Sequence, residues 1–166
     1  MATAPEASPP GYTAAILTVS DGVAAGTRED RGSATIRELL PSHARVVDQR
    51  VVPDDREAIA AVLVEWCERG IEFIATTGGT GLGPRDVTPE ATRDVIEREI
   101  PGIAEAMRAA GIASTPMAML SRAIAGTRGR TLIVNLPGSP RGVRECLAVV
   151  LPVVEHALHV MRGGGH

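Results

Sequence analysis

Three aspartates in this sequence each follow an apolar run rich in β-branched residues: Asp21 in LTVSDG, Asp54 in VVPDD and Asp86 in TTGGTGLGPRDVTPEAT. In the last of these the carboxylate shares a loop with Gly78, Gly79, Gly81 and Gly83. Those glycines let the backbone approach a ligand closely and aim several N–H groups at an anion. Thr76, Thr77 and Thr80 add hydroxyl donors. A carboxylate beside an anion-cradling loop repels the anion unless a cation sits between them, and a hard ion such as magnesium meets that condition. Asp86 is therefore a candidate metal ligand. No GK[ST] follows the glycines, so the loop is not a P-loop, and their spacing is not that of a dinucleotide fingerprint.

Local structure accounts for much of the surrounding sequence. In RDVTPEAT, Thr88 reads as a helix cap, Pro89 as the first helical residue and Glu90 as a complement to the positive helix end. Neither Arg85 nor Asp86 is needed for that. Asp54 with Glu57 three residues later reads as a capping-box variant, and Ser20 with Asp21 as a turn or cap. In NLPGSPR, Asn135 and Gly138 end a strand, Ser139 caps and Pro140 begins a helix, repeating the Thr88–Pro89 arrangement. Two helix N-termini of the kind that bind anions, together with three aspartates at strand ends, would surround one cleft in a parallel sheet.

The elements that must position these groups alternate along the chain. TAAILTVS, ARVVDQRVV and IEFIATT read as strands, with Asp48 and Arg50 facing away from the apolar residues of the second. Helices are expected from Ser33 to Leu40, over DREAIAAVLVEWCERG up to Gly70, from Pro89 to about Arg98, and from Pro101 to Ala110. SRAIAGTRGRTLIVNLPG reads as a hairpin turning at Arg128 and Gly129. A last helix from Pro140 to Arg162 carries Pro152 in its interior, where a kink is expected. The pattern is that of an α/β domain with a mostly parallel sheet and a small hairpin extension, spanning residues 13–162 between a disordered tail (1–12) and a flexible one (163–166).

The chain has 166 residues, enough for one domain, of which 44% are hydrophobic and 22% charged. With a net charge of -3 and three aromatic residues (Tyr12, Trp66 and Phe73), it lacks the basic stripe and stacking platforms of a nucleic-acid binder. All 17 basic residues are arginine. That excludes a phosphate-loop lysine, a Schiff-base lysine and a lysine general base, while leaving the paired hydrogen bonds that arginine makes to phosphates. Cys67 and Cys146 lie far apart in apolar helical contexts and read as reduced core thiols of a cytoplasmic protein. His156 and His159 lie one turn apart with no third ligand in view and read as packing or surface residues. No apolar stretch is long enough to span a bilayer, and the N-terminus has no signal-peptide pattern.

Taken together, LTVSDG, VVPDD, TTGGTGLGPRDVTPEAT, AMLSRAIAG and LIVNLPGSP resemble the MogA/MoaB family of molybdenum cofactor biosynthesis proteins, and equally the G domains of the gephyrin type. The resemblance runs from Thr13 to about Val160. It implies a three-layer α/β/α fold, a homotrimer, and an adenylyltransferase that joins AMP from ATP to the terminal phosphate of molybdopterin with release of pyrophosphate. By motif, Asp54 and Asp86 resemble the catalytic carboxylates that organise Mg2+ and phosphates. Ser20, Asp21, Gly78, Gly79, Thr80 and Gly81 resemble the nucleotide side, and Ser121, Asn135, Pro137, Gly138 and Ser139 the molybdopterin pocket. Hand-over of the product to a molybdenum-insertion enzyme is a further implication. Gly22 stands where many bacterial members have Arg, a departure that bears on a local phosphate contact and not on the assignment. The alternatives are a non-catalytic molybdopterin-binding or scaffold paralogue, and a regulator that binds nucleotide without pterin.

Overall fold

The computed structural model describes residues 11–166. Most of the expected N-terminal tail lies outside the described residues, and Tyr12, assigned to that tail, is already the first residue of a strand. Six strands form one sheet: β1 (Tyr12–Val19), β2 (Ala44–Val52), β3 (Phe73–Thr77), β4 (Arg98–Glu99), β5 (Ala125–Arg128) and β6 (Thr131–Leu136). The helices are α1 (Asp21–Ala24), α2 (Arg31–Leu39), α3 (Arg56–Glu68), α4 (Thr88–Val95), α5 (Pro101–Ile112) and α6 (Pro140–Met161), with a 3-10 turn at Pro116–Leu120.

The sheet order is β2-β1-β3-β6-β5-β4; the first four strands are mutually parallel, and β5 and β4 extend the edge antiparallel. The central strands are apolar almost throughout because both of their faces are covered. Ala14 and Ile16 of β1, Phe73 and Ala75 of β3, and Leu132 and Val134 of β6 pack on one side with residues of α2, α5 and α6. Ala15 and Leu17, Ile74 and Ile133 pack on the other with Ile59, Leu63 and Trp66 of α3 and Ala91 and Val95 of α4. Each fully buried Ile, Leu or Phe in these clusters contributes about 1.5–3 kcal/mol of transfer free energy. The result is a three-layer α/β/α arrangement. Because α2 and α3 lie on opposite faces, the winding reverses between β1 and β3, and their carboxyl ends border the crevice where open α/β sheets bind ligands.

Several elements differ from expectation. The helix expected to reach Arg98 ends at Val95, and Arg98 pairs with Thr127 in β4. The hairpin turn falls at Gly129 and Arg130, one residue later than expected, with Gly129 at φ 55°. Pro152 lies inside α6, which runs through it as one element of 22 residues. The Gly163 and Gly164 amides, assigned to a flexible tail, close that helix by donating to the carbonyls of Val160 and His159. Cys67 and Cys146 are both free thiols, and burial pushes the Cys146 thiol up to about 11.

Asp48 and Arg50 do not face away from the apolar layer. Ala14 pairs with Val46 and Ala15 with Asp48, so Val47 is an extra residue that reverses the alternation of β2. Gln49 then meets Ser33 and Arg37 of α2, whereas Asp48 and Arg50 turn onto α3. There Asp48 accepts the indole N–H of Trp66 at 2.9 Å and a bond from Arg69, and the Arg50 guanidinium stands 5.6 Å from the Trp66 ring centre. Burial works to raise the Asp48 pKa, but the bonds from Arg69 and Trp66 and the charge of Arg50 prevail and hold it at about 2.

A carboxylate whose folded pKa is depressed stabilises the fold above its unfolded pKa, and that contribution disappears as pH falls through the folded value. The Asp48 contribution is therefore complete above about pH 4 and lost as pH falls towards about 2. Trp66, the single tryptophan, reports on the cluster directly. Asp48→Asn is expected to destabilise the fold at neutral pH by about 1–3 kcal/mol. It should also flatten the acid dependence of stability across that window, as read by Trp66 fluorescence during denaturant titrations. An unchanged acid dependence would assign it to other carboxylates.

Candidate functional site

The glycine loop leaves β3 and crosses the end of β1. Gly78 has φ 96°, and a Cβ placed on it would stand 2.3 Å from the Val19 carbonyl oxygen. Gly79 has φ 69°, and a Cβ there would meet the Thr88 hydroxyl oxygen at 2.3 Å and Asp54 Oδ1 at 3.2 Å. Only glycine fits either place. The Gly78 N–H donates to the Leu136 carbonyl, which ties the loop to β6. The N–H groups of Gly79, Thr80 and Gly81 have no acceptor among the described residues, which leaves them available to an anion.

Thr88 does not cap α4. Val87 occupies the cap position without a side-chain bond, while the buried Thr88 hydroxyl donates to the Gly78 carbonyl at 2.9 Å and braces the loop. Arg122 completes the clamp. Its backbone N–H donates to the Thr80 carbonyl, and its guanidinium donates to the carbonyls of Gly81 at 2.8 Å and Asp86 at 2.7 Å while pairing with Glu90. Sequence reasoning gave Arg122 no role; a lone arginine within the apolar MLSRAIAG was its only signal.

The carboxylates divide their duties. Asp54 is not the cap of α3, since Asp55 takes that place by accepting from the Ala58 N–H at 2.8 Å. Instead Asp54 and Asp21 exchange bonds: the Asp21 N–H donates to Asp54 Oδ2 at 2.9 Å, and the Asp54 N–H to Asp21 Oδ1 at 3.0 Å. Both Asp21 oxygens also accept from Arg85, at 2.8 and 3.0 Å, and this pairing holds the Asp21 carboxyl below the usual range. Asp21 is thus a strut joining the ends of β1 and β2 to the loop. Burial raises the Asp54 pKa, and the nearby charges of Asp21 and Asp86 raise it further against the lowering bond from Asp21. Asp86 has a local role that sequence did not show: its Oδ2 accepts the Gly83 N–H at 2.9 Å and its own N–H donates to the Gly83 carbonyl.

Two cavities meet at this loop. The larger, about 560 Å³, is polar and lined by Ser20, Gly78 to Gly81, Asp54, Asp86, Gly138 and Ser139, among others. The smaller, about 290 Å³, is walled by Ala104, Met107, Leu120 and Cys146 together with Ser121 and Pro137. Thr80, Gly81 and Ser139 line both. Ser20 and Ser139 cap α1 and α6 as acceptors, and each keeps its O–H to donate. The N-terminus of α6 opens into the larger cavity, whereas Thr88 and Pro89, the other expected anion-binding helix start, do not line it.

Two expected site residues stand apart from these walls. Asp21 lines neither cavity. Asn135 is fully buried: its amide donates to the Thr76 and Thr92 hydroxyls at 3.0 and 2.9 Å, and its oxygen accepts the Ile124 N–H at 3.2 Å. It locks β6 to β3 and α4 and has no polar atom left for a ligand. Among the described residues, no group of three or more His, Cys, Asp or Glu side chains could hold a metal by itself.

Comparison with known proteins agrees with this geometry. Residues 15–156 match the family described as "Probable molybdopterin binding domain". The molybdopterin adenylyltransferase of Helicobacter pylori J99 is 38% identical, over 89% of this chain and 86% of that protein. A molybdenum cofactor biosynthesis bifunctional protein of Chlorobaculum tepidum is 41% identical over 92% of this chain, which spans 49% of that longer relative. Among solved structures, the molybdopterin biosynthesis enzyme MoaB of Thermus thermophilus superposes with a TM-score of 0.87 at 52% identity, covering 92% of this chain and 97% of that one. Matched over most of its length in sequence and in structure, the chain belongs to the MogA/MoaB family of molybdenum cofactor biosynthesis proteins.

Proposed function

We propose that this protein is a molybdopterin adenylyltransferase, a nucleotidyltransferase that moves AMP from ATP to the terminal phosphate of molybdopterin and releases pyrophosphate. The observation that carries the reading is the pair of cavities, one polar and one apolar, sharing the wall formed by Thr80, Gly81 and Ser139. A reaction that joins two substrates through their phosphates needs such an arrangement. The polar cavity takes ATP and the apolar one the pterin, whose phosphate reaches the shared wall beside Ser121, Pro137 and Ser139. The likeness to the molybdopterin adenylyltransferase of Helicobacter pylori supports the same assignment.

In the proposed step an oxygen of the molybdopterin phosphate attacks the α-phosphorus of ATP. A new P–O bond forms, the bond to the β-phosphate oxygen breaks, and pyrophosphate leaves with the electron pair. The nucleophile is already ionised at neutral pH, so no strong general base is required, in keeping with a site without lysine or histidine. The chain supplies positioning and charge stabilisation: the free amides of Gly79, Thr80 and Gly81 and the hydroxyls of Thr80 and Ser139 face the place where phosphate charge shifts.

Asp54 and Asp86 would hold Mg2+ arriving with ATP, which when bound offsets charge on the transferred phosphate and on the leaving pyrophosphate. The fit rests on charge. Asp54 is held above its usual pKa by burial and by the neighbouring carboxylates, an excess of negative potential that a dication relieves. Magnesium commonly binds through one or two carboxylates plus substrate phosphates, so two protein ligands suffice. The homotrimer, the hand-over to a molybdenum-insertion enzyme and a cytoplasmic location belong to the same proposal and follow from the family resemblance. No described helix is long and apolar enough to cross a membrane.

Incubation with molybdopterin, ATP and Mg2+, followed by detection of adenylylated pterin, tests the activity; a chain that binds pterin but never forms that product is a scaffold. Asp86→Asn is expected to keep the fold and pterin affinity while raising the barrier to turnover by about 2–4 kcal/mol. Full turnover in that variant would remove Asp86 from the chemistry. For Asp54 the sign differs between stability and activity. Its folded pKa is raised, so its ionisation works against the fold once pH passes the folded value. Asp54→Asn keeps the acceptor for the Asp21 N–H and removes that charge. It should therefore melt at a higher temperature than the parent at neutral pH while losing turnover. A lower melting temperature would show that the Asp54 charge supports the fold instead.

A further inference from the structure

The larger cavity carries an arginine that no site residue accounts for. Four carboxylates line it, those of Glu29, Asp30, Asp54 and Asp86, against two guanidinium groups, those of Arg28 and Arg31. Asp30 is occupied by the Thr18 hydroxyl at 2.7 Å and the Ser33 N–H at 3.1 Å, and Arg31 bonds to Glu29 at 3.1 Å. Arg28 makes no hydrogen bond or ion pair with any described residue, so all of its donors are uncommitted and its charge is not offset, whereas Arg31 spends its Nε and its charge on Glu29. Its placement is built into the loop between α1 and α2. The Thr27 N–H and hydroxyl both bond to the Gly22 carbonyl, at 2.9 and 3.1 Å, which folds the loop back onto α1. The stem of Arg28 then lies across Gly22: a Cβ there would stand 3.2 Å from Arg28 Cβ and 3.6 Å from its Cδ.

We propose that Arg28 binds the β- and γ-phosphates of ATP and thereby holds the pyrophosphate that leaves, a role that rests on the adenylyl-transfer reading above. For the molybdopterin phosphate to reach it, the α-phosphate must sit at the wall shared by the two cavities. From that point the nucleotide extends into the larger cavity as two arms, the adenosine and the pyrophosphate. Arg28 lines the larger cavity and not the smaller one. Of the two arms it suits the charged one, because its planar fork can donate two parallel bonds to phosphate oxygens. It also supplies positive charge on a wall otherwise dominated by carboxylates, where a polyphosphate would be repelled.

Calorimetric titration of the parent and of Arg28→Ala with ATP, AMP and inorganic pyrophosphate, each with Mg2+, tests the role. Arg28→Ala is expected to weaken ATP and pyrophosphate about tenfold, the scale of one charge-assisted contact at an exposed site, and to leave AMP unchanged. Arg28→Lys should recover part of the loss, since it restores the charge without the fork. Equal weakening of AMP and ATP would assign Arg28 to the adenosine arm or to the fold, and unchanged pyrophosphate affinity would remove it from phosphate binding; either overturns the proposal. A parent chain that binds pyrophosphate through Arg28 yet forms no adenylylated pterin would overturn adenylyl transfer and leave this contact standing. A parent that binds neither ATP nor pyrophosphate would overturn both.

Discussion

A side chain at Gly78 would bring its Cβ to 2.3 Å from the Val19 carbonyl oxygen, and the site depends on that contact being free of a side chain. The chain leaves β3 directly over the end of β1, at the point where the winding of the sheet reverses. Because the crossing is so close, Gly79 comes to rest against Asp54, which belongs to the end of β2 two strands away. Residues separated by long stretches of sequence thus meet within a few ångströms. The amides of Gly79, Thr80 and Gly81 cannot join the sheet ladder from this position, so they are left for a ligand.

A loop with several glycines costs conformational entropy to fix, and the surrounding structure holds it from three sides. Thr88 bonds to Gly78 from α4, the Leu136 carbonyl accepts from Gly78 on β6, and Arg122 binds the far end. Asp21 performs the matching task for the carboxylates: it fixes Asp54 through two backbone bonds and Arg85 through a paired one. The charge repelled by this packing falls on Asp54, whose pKa rises, while Asp21 remains ionised against its arginine. These neighbouring aspartates are thus pushed in opposite directions, Asp21 by its pairing with Arg85 and Asp54 by its burial.

The sequence made the layers and the loop legible because their signals are local. Continuous apolar strands imply two covered faces, and glycines after such a strand imply a close crossing. What stayed hidden depends on partners remote in sequence. Asp54 and Asp55 are indistinguishable as caps until the backbone turns one towards Ala58 and the other towards Asp21. Thr88 looks like a cap, but its hydroxyl donates instead to the Gly78 carbonyl of the loop. Asn135 sits in a functional motif, yet it spends every polar atom joining β6 to β3 and α4. The bulge at Val47 has no sequence marker, and by shifting the alternation one residue it carries Asp48 and Arg50 onto Trp66.

The absence of lysine takes on structural meaning at Arg122. Its guanidinium reaches the Gly81 carbonyl, the Asp86 carbonyl and the Glu90 carboxylate at once, three acceptors spread along the loop and the start of α4. A planar fork with five donors can satisfy such a spread set in a single orientation, whereas an ammonium group concentrates its donors at one point. Fixing the Gly81 and Asp86 carbonyls together sets the distance between the amide-bearing part of the loop and the carboxylate that follows it. A residue that lines neither cavity thus sets how far the free amides of the loop stand from the Asp86 carboxylate on the wall of the larger one.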